Sequence, residues 1–146
     1  MARASTLPAL LLALPLLALS ANAGADMPNI NPGMWEYTNT TSIEGPQSMP
    51  QQTDTHRECV TREDLEQREE MLEVPEDCTL NDVNMDADGV VYSMSCTDPM
   101  GGTMTMDAEM HFHGDRSEGV MRSEIDTPIG TMNMRVEIRG ERTGDC

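Results

Sequence analysis

From Thr103 to His113 apolar and polar residues alternate without a break. Met104, Met106, Ala108, Met110 and Phe112 fall on one side, and Thr103, Thr105, Asp107, Glu109, His111 and His113 on the other. Period two is the signature of a strand with one dry face. The neighbouring chain repeats it, with Val90, Tyr92 and Met94 before this stretch and Met121, Ile125, Met132, Met134, Val136 and Ile138 after it. Strands are therefore predicted near residues 78–85, 90–96, 103–113, 118–125 and 131–139. Turn residues separate them at Asp86-Ala87-Asp88-Gly89, Asp98-Pro99-Met100-Gly101-Gly102, Gly114-Asp115-Arg116-Ser117 and Thr127-Pro128-Ile129-Gly130. Strands joined by short turns read as an antiparallel meander.

The earlier half is less regular. Pro32-Gly33 leads into a strand that runs to about Ile43 with Trp35, Tyr37 and Ile43 on one side, Gly45 to Gln52 form a loop, and a second strand covers Thr53 to Val60. Thr61 is placed as an N-cap with Asp64 three residues on, and the helix it starts is expected to reach about Leu72, with Pro75 stopping it and an Asp64–Arg68 pair on its surface. Only Leu65, Met71 and Leu72 give this helix an apolar side, so it is a surface helix. The predicted fold is mainly β: one antiparallel meander, a curved sheet or an incomplete barrel, with one short surface helix after Cys59 and two disulfides.

The first residues change the picture of where this domain works. Arg3, the apolar run Leu7 to Leu19 and the small-residue site Ala21-Asn22-Ala23 read as a cleaved signal peptide over residues 1–23, followed by a disordered coil over 24–31 and a single domain over 32–146. The apolar run is shorter than the roughly 20 residues that span a bilayer, and no cysteine beside the cleavage site carries a lipid. The expectation is an exported protein of a Gram-negative periplasm with no stable membrane anchor.

The formal net charge is −17, and all nine basic residues are arginine. A surface this acidic is a poor partner for phosphate backbones, which argues against nucleic acid. Four cysteines in a short exported chain read as two disulfides, for which three connectivities exist. Cys59–Cys78 and Cys96–Cys146 are favoured, the first stapling the helical segment and the second tying down the C-terminus. No C-x-x-C pair is present, which argues against zinc or redox catalysis.

Candidate chemistry is sparse. Asn84-x-Asp86-x-Asp88-Gly89 copies the first half of a calcium loop, but Ser95 stands where the twelfth-position glutamate belongs, so an Asp-Gly hairpin turn is the better account. Methionines with His111, His113 and Glu109 are soft-metal ligands of the kind copper(I) takes, yet alternation puts those methionines on the face opposite the histidines. Methionine is also an ordinary core filler in a chain with four aromatic residues. Asp54-x-His56-x-Glu58 reads as the wet side of a strand. No nucleophile elbow, phosphate loop or His-Glu-x-x-His occurs, and no enzymatic activity or cofactor is expected.

Three segments together resemble the domain-of-unknown-function family 3617: Pro32-Gly33-Met34-Trp35-Glu36, Cys59-Val60-Thr61-Arg62-Glu63-Asp64 and the close Gly140-Glu141-Arg142-Thr143-Gly144-Asp145-Cys146. The resemblance implies a small exported bacterial protein with this cysteine framework and carries no established activity. The chain departs from the family pattern at Met34, Val60 and Arg62, the last in place of a helix-starting proline. The expected role is a non-catalytic binding domain for a small apolar ligand or an envelope protein. Its ligand face would hold Trp35, Tyr92, Met94, Met104, Met106 and Met110. Copper binding is the alternative, and an acidic structural or stress-related envelope protein a further one.

Overall fold

A computed structural model describes residues 27–47, 49–67, 72, 74–97 and 102–146. The expected signal peptide, Arg68 with its pairing to Asp64, Met71, and residues 98–101 of the turn expected at 98–102 lie outside the described residues. Seven strands form one antiparallel sheet: β1 (Gly33–Glu44), β2 (Met49–Val60), β3 (Cys78–Met85), β4 (Gly89–Thr97), β5 (Thr103–Phe112), β6 (Arg116–Thr127) and β7 (Gly130–Gly144). Their order across the sheet is β2-β1-β7-β6-β5-β4-β3. Strands β3 to β7 are the expected meander, and the β1–β2 hairpin is added to it along β7. The edges are therefore β2 and β3, which are consecutive in sequence. The segment between them must pass from one edge of the sheet to the other.

That segment starts with α1 (Arg62–Glu66). Thr61 caps it through a complete capping box: the Thr61 hydroxyl accepts from Asp64 N at 3.2 Å, and the Asp64 carboxylate accepts from Thr61 N at 2.8 Å. These bonds hold the Asp64 carboxyl below the usual carboxylate range. The helix is shorter than expected, since its C-cap is already Gln67. A helix this short with one apolar contact residue gains little from propensity. Its contribution is Leu65, which is 1% exposed.

Leu65 joins Ile30, Trp35, Val60, Val90 and Phe112 in the buried core, with Tyr37, Met85, Tyr92 and Met110 packed against it. In a flat sheet Trp35 on β1 and Val90 on β4 would lie about 19 Å apart, four strand spacings. The sheet curls at this end, and Ile30 and Leu65 plug the curl. Ile30 is held there because residues 28–31 are not free coil: Asn29 N donates to Ala87 O at 2.7 Å, Gly114 N to Asn29 O at 2.7 Å and Asn31 N to Gly114 O at 2.9 Å. The coil expected over 24–31 is thus ordered in its second half by the β3–β4 and β5–β6 turns. Gly114 makes this possible with φ of 75°, a conformation open to glycine.

The disulfides are Cys59–Cys146 and Cys78–Cys96, which corrects the expected Cys59–Cys78 and Cys96–Cys146. Register explains both bonds. Cys78 is directly opposite Cys96 across the β3–β4 hairpin. Met34 on β1 pairs with Cys59 on one side and Gly144 on the other, so Cys146 reaches Cys59 over β1. The opening and closing sequence motifs meet at the same place, where Arg142 Nε donates to Pro32 O at 2.7 Å. On the chain-entropy estimate, closing 87 residues with Cys59–Cys146 contributes roughly 4.5 kcal/mol and closing 18 with Cys78–Cys96 roughly 3 kcal/mol. Denaturant unfolding is expected to show a larger loss for Cys59→Ser/Cys146→Ser than for Cys78→Ser/Cys96→Ser. The reverse order would mean that the sheet edge at β3, and not the β1–β2–C-terminus junction, limits stability.

Candidate functional site

Strand pairing assigns every side chain of the sheet to a face. The apolar face takes Met104, Met106, Ala108, Met110 and Phe112 of β5. It takes Val90, Tyr92 and Met94 of β4, Met121, Ser123 and Ile125 of β6, and Met132, Met134, Val136 and Ile138 of β7. With Met85 of β3, all eight methionines of β3 to β7 share it. Their burial is uneven. Trp35 is 0% exposed inside the closed-end core, and Met94 is 6% exposed, whereas Tyr92, Met104, Met106, Met110, Met121, Met132 and Met134 are only half-buried. The expected ligand face therefore divides: Trp35 is closed off as core, and Met104 and Met106 lie on the half-buried part that continues past it. Among the described residues no helix or strand packs over that part.

Two glycines shape the face. A Cβ on Gly119 would run into Met110 Sδ, and one on Gly140 would meet the Tyr37 ring and Ser117 Oγ. Tyr37 and Met110 therefore lie over the backbones of β7 and β6 and fill the space that side chains at Gly140 and Gly119 would take. Ser117 and Ser123 are also on this face, 5% and 4% exposed, and neither hydroxyl has a hydrogen-bond partner. Buried hydroxyls without partners are uncommon and costly.

At the β2 edge the same face turns polar, which the sequence did not reveal. Asp54, His56 and Glu58 pair with Asn39, Tyr37 and Trp35, so they share the apolar face and are not its wet reverse. Trp35, Tyr37 and His56 form a stacked series, with ring centroids 5.9 Å and 5.5 Å apart. Burial pushes the Tyr37 phenol up to about 12, and the Glu58 charge adds to the rise. Burial also pushes the Tyr92 phenol up.

The opposite face is ionic. His111 Nε2 lies 3.0 Å from Glu109 and His113 Nε2 3.9 Å from Glu118. Both histidines are on the other side of β5 from the methionines, so one metal ion cannot draw on both sets. Among the described residues no group of three or more His, Cys, Asp and Glu side chains is placed to hold a metal. Arg122 and Arg135 face each other in register, and Glu137 takes Arg135 at 3.0 Å. Arg122 and Arg135 line a cleft of about 420 Å³ with Asp107 and Glu124. In the β3–β4 turn, Asp86 accepts from Asp88 N and Gly89 N at 2.8 and 3.0 Å, so the calcium-like motif serves its own hairpin.

These features define a disulfide-stapled open antiparallel sheet with one end plugged and one face apolar. The family model described as "Protein of unknown function (DUF3617)" matches residues 30–146, and the chain belongs to that family. Neither a curated protein nor a solved structure matches it. No described helix is long and apolar enough to cross a membrane. The two disulfides fit an oxidising compartment.

The Tyr37 environment gives a spectroscopic test. A phenol whose neutral form is favoured in the fold contributes stability below pH 10.0 that is lost as pH rises toward about 12. Absorbance titration of the native protein is expected to show a phenolate step near 12 that Tyr37→Phe removes, leaving the Tyr92 step. Two steps at the ordinary tyrosine position would refute the buried placement of Tyr37.

Proposed function

We propose that this chain is a non-catalytic periplasmic binding protein that holds a small apolar molecule against the methionine face of its sheet. The observation that carries the reading is the placement of eight methionines on one face, most of them half-buried beyond the plugged end. A structural core gains most from full burial, which these side chains do not reach. Thioether side chains are flexible and polarisable and adapt to ligands of varied shape, as on promiscuous binding surfaces. The half-buried face beyond the plug is lined by thioethers, aliphatic groups and hydroxyls with the Asn39 amide and the Tyr92 phenol, and among the described residues no carboxylate or imidazole is half-buried with them, which favours binding over catalysis. An apolar ligand matches that lining.

A neutral solvatochromic dye such as Nile red tests the reading. Its fluorescence is expected to rise with the native protein. Met106→Glu/Met134→Glu is expected to weaken binding about tenfold or more, the cost of removing one buried apolar contact region, with the circular dichroism unchanged. Absence of dye binding, or equal binding to the double variant, would overturn it.

A further inference from the structure

The apolar face is not uniform from edge to edge. Along one rung of the sheet lie Asp54, Asn39, Ile138, Gly119, Met110 and Val90, in the order β2, β1, β7, β6, β5, β4. The rung passes from a carboxylate through an amide to purely apolar side chains. The next rung toward the plugged end begins His56, Tyr37, and the one after it Glu58, Trp35. On this face Asp54 and Glu58 are the only acidic residues among the described strand positions. The arginines Arg57, Arg116, Arg122, Arg135 and Arg139 all project from the other face, and Arg142 is bound to Pro32 O and Asp145 at the plugged end.

Resting on the reading above, we propose that the ligand is a cationic amphiphile: its apolar chain lies on the methionines of β5 to β7, and its ammonium or amine head sits at the Asp54–Glu58 rim of β2. Five observations support this class. Ile138 of β7 is in register with Asp54 two strand spacings away, about 10 Å, and Met121 and Met134 lie two and four residues further along their strands, about 7 and 14 Å, so an extended long-chain amphiphile headed at Asp54 reaches them. Among the described residues the only side chain within ion-pair distance of Asp54 is His56, at 3.9 Å, and Glu58 has none, so the carboxylates are not neutralised by arginine. The Glu58 charge is felt on this same face, since it disfavours ionisation of Tyr37. The unpartnered Ser123 hydroxyl, 4% exposed between Met106 and Met134, gives the face a polar atom that a wholly apolar interior would not retain. A net charge of −17 also draws cations in from a distance.

Calorimetric titration of the purified protein with three probes of equal chain length, each below its micellar concentration, separates the possibilities: dodecyltrimethylammonium, dodecyl maltoside and dodecyl sulfate. The cationic probe is expected to bind about tenfold tighter than the neutral one, and the anionic probe weakest, an order set by complementary charge. The preference should shrink with added salt and disappear in Asp54→Asn/Glu58→Gln while maltoside binding is retained. Equal binding of cationic and neutral probes, or a cationic preference that survives the double variant, overturns this inference and leaves the apolar-ligand reading standing. Binding of none of the three overturns both.

Discussion

The burial of Trp35 is the interaction on which the rest of the structure depends. Its ring is 0% exposed, its Nε1 donates to Asn31 O at 2.9 Å, and the plugs Ile30 and Leu65 belong to the same cluster. A buried Trp of this kind is worth on the order of 3–5 kcal/mol, a large share of the stability of one small domain. The N-terminal segment, α1 and the curl of the sheet are all arranged around it. Disulfide Cys59–Cys146 and the Arg142–Pro32 bond reinforce the same end.

Concentrating stability at one end has a consequence for the other. With the closed end fixed by packing and by one disulfide, and the β3 edge fixed by Cys78–Cys96, the methionine face does not have to be sealed for the domain to fold. The charge distribution follows the same division. Arginines and most acids sit on the reverse, paired along or across strands as in Arg57 with Glu36 at 2.7 Å, and the two acids of the apolar face stand at its β2 margin. A sheet polarised between its faces, and again across one of them, is suited to an amphipathic partner.

Much of the fold was legible in the sequence, and the reasons are specific. Strands β4 to β7 alternate cleanly and are bounded by Asp-Gly and Gly-containing turns, so their existence and inward faces could be read directly, while β3 was placed without a face. The Thr61–Asp64 cap was equally plain. The disulfides were misread because the expectation set out to staple the helical segment and to tie down the C-terminus, whereas a hairpin counted outward in pairs from its turn at Asp86–Gly89 brings Cys78 to within a residue of Cys96, and the irregularity between Leu80 and Asp82 supplies the last step. The acidic rim was not legible. Strand β2 is polar at nearly every position, so no period marks its inner side, and its face is set only by the register of the β1–β2 hairpin. Pro50 concealed its first residues, which pair with β1 from Met49 onward. The ordered N-terminal segment was missed because Ile30 is a single apolar residue in a run of Pro, Asn and Gly, with no local pattern to show that two distant turns hold it.

The central claim is that the methionines beyond Trp35 face an unsealed surface, and solvent accessibility measures this directly. Isotopically labelled methionine methyl groups can be observed by NMR while a neutral, soluble paramagnetic agent is added. Met104, Met106, Met121, Met132 and Met134 are expected to broaden strongly and Met94 to be spared, in line with its 6% exposure. Uniform protection of all eight would mean that the face is a closed core, and would contradict the account.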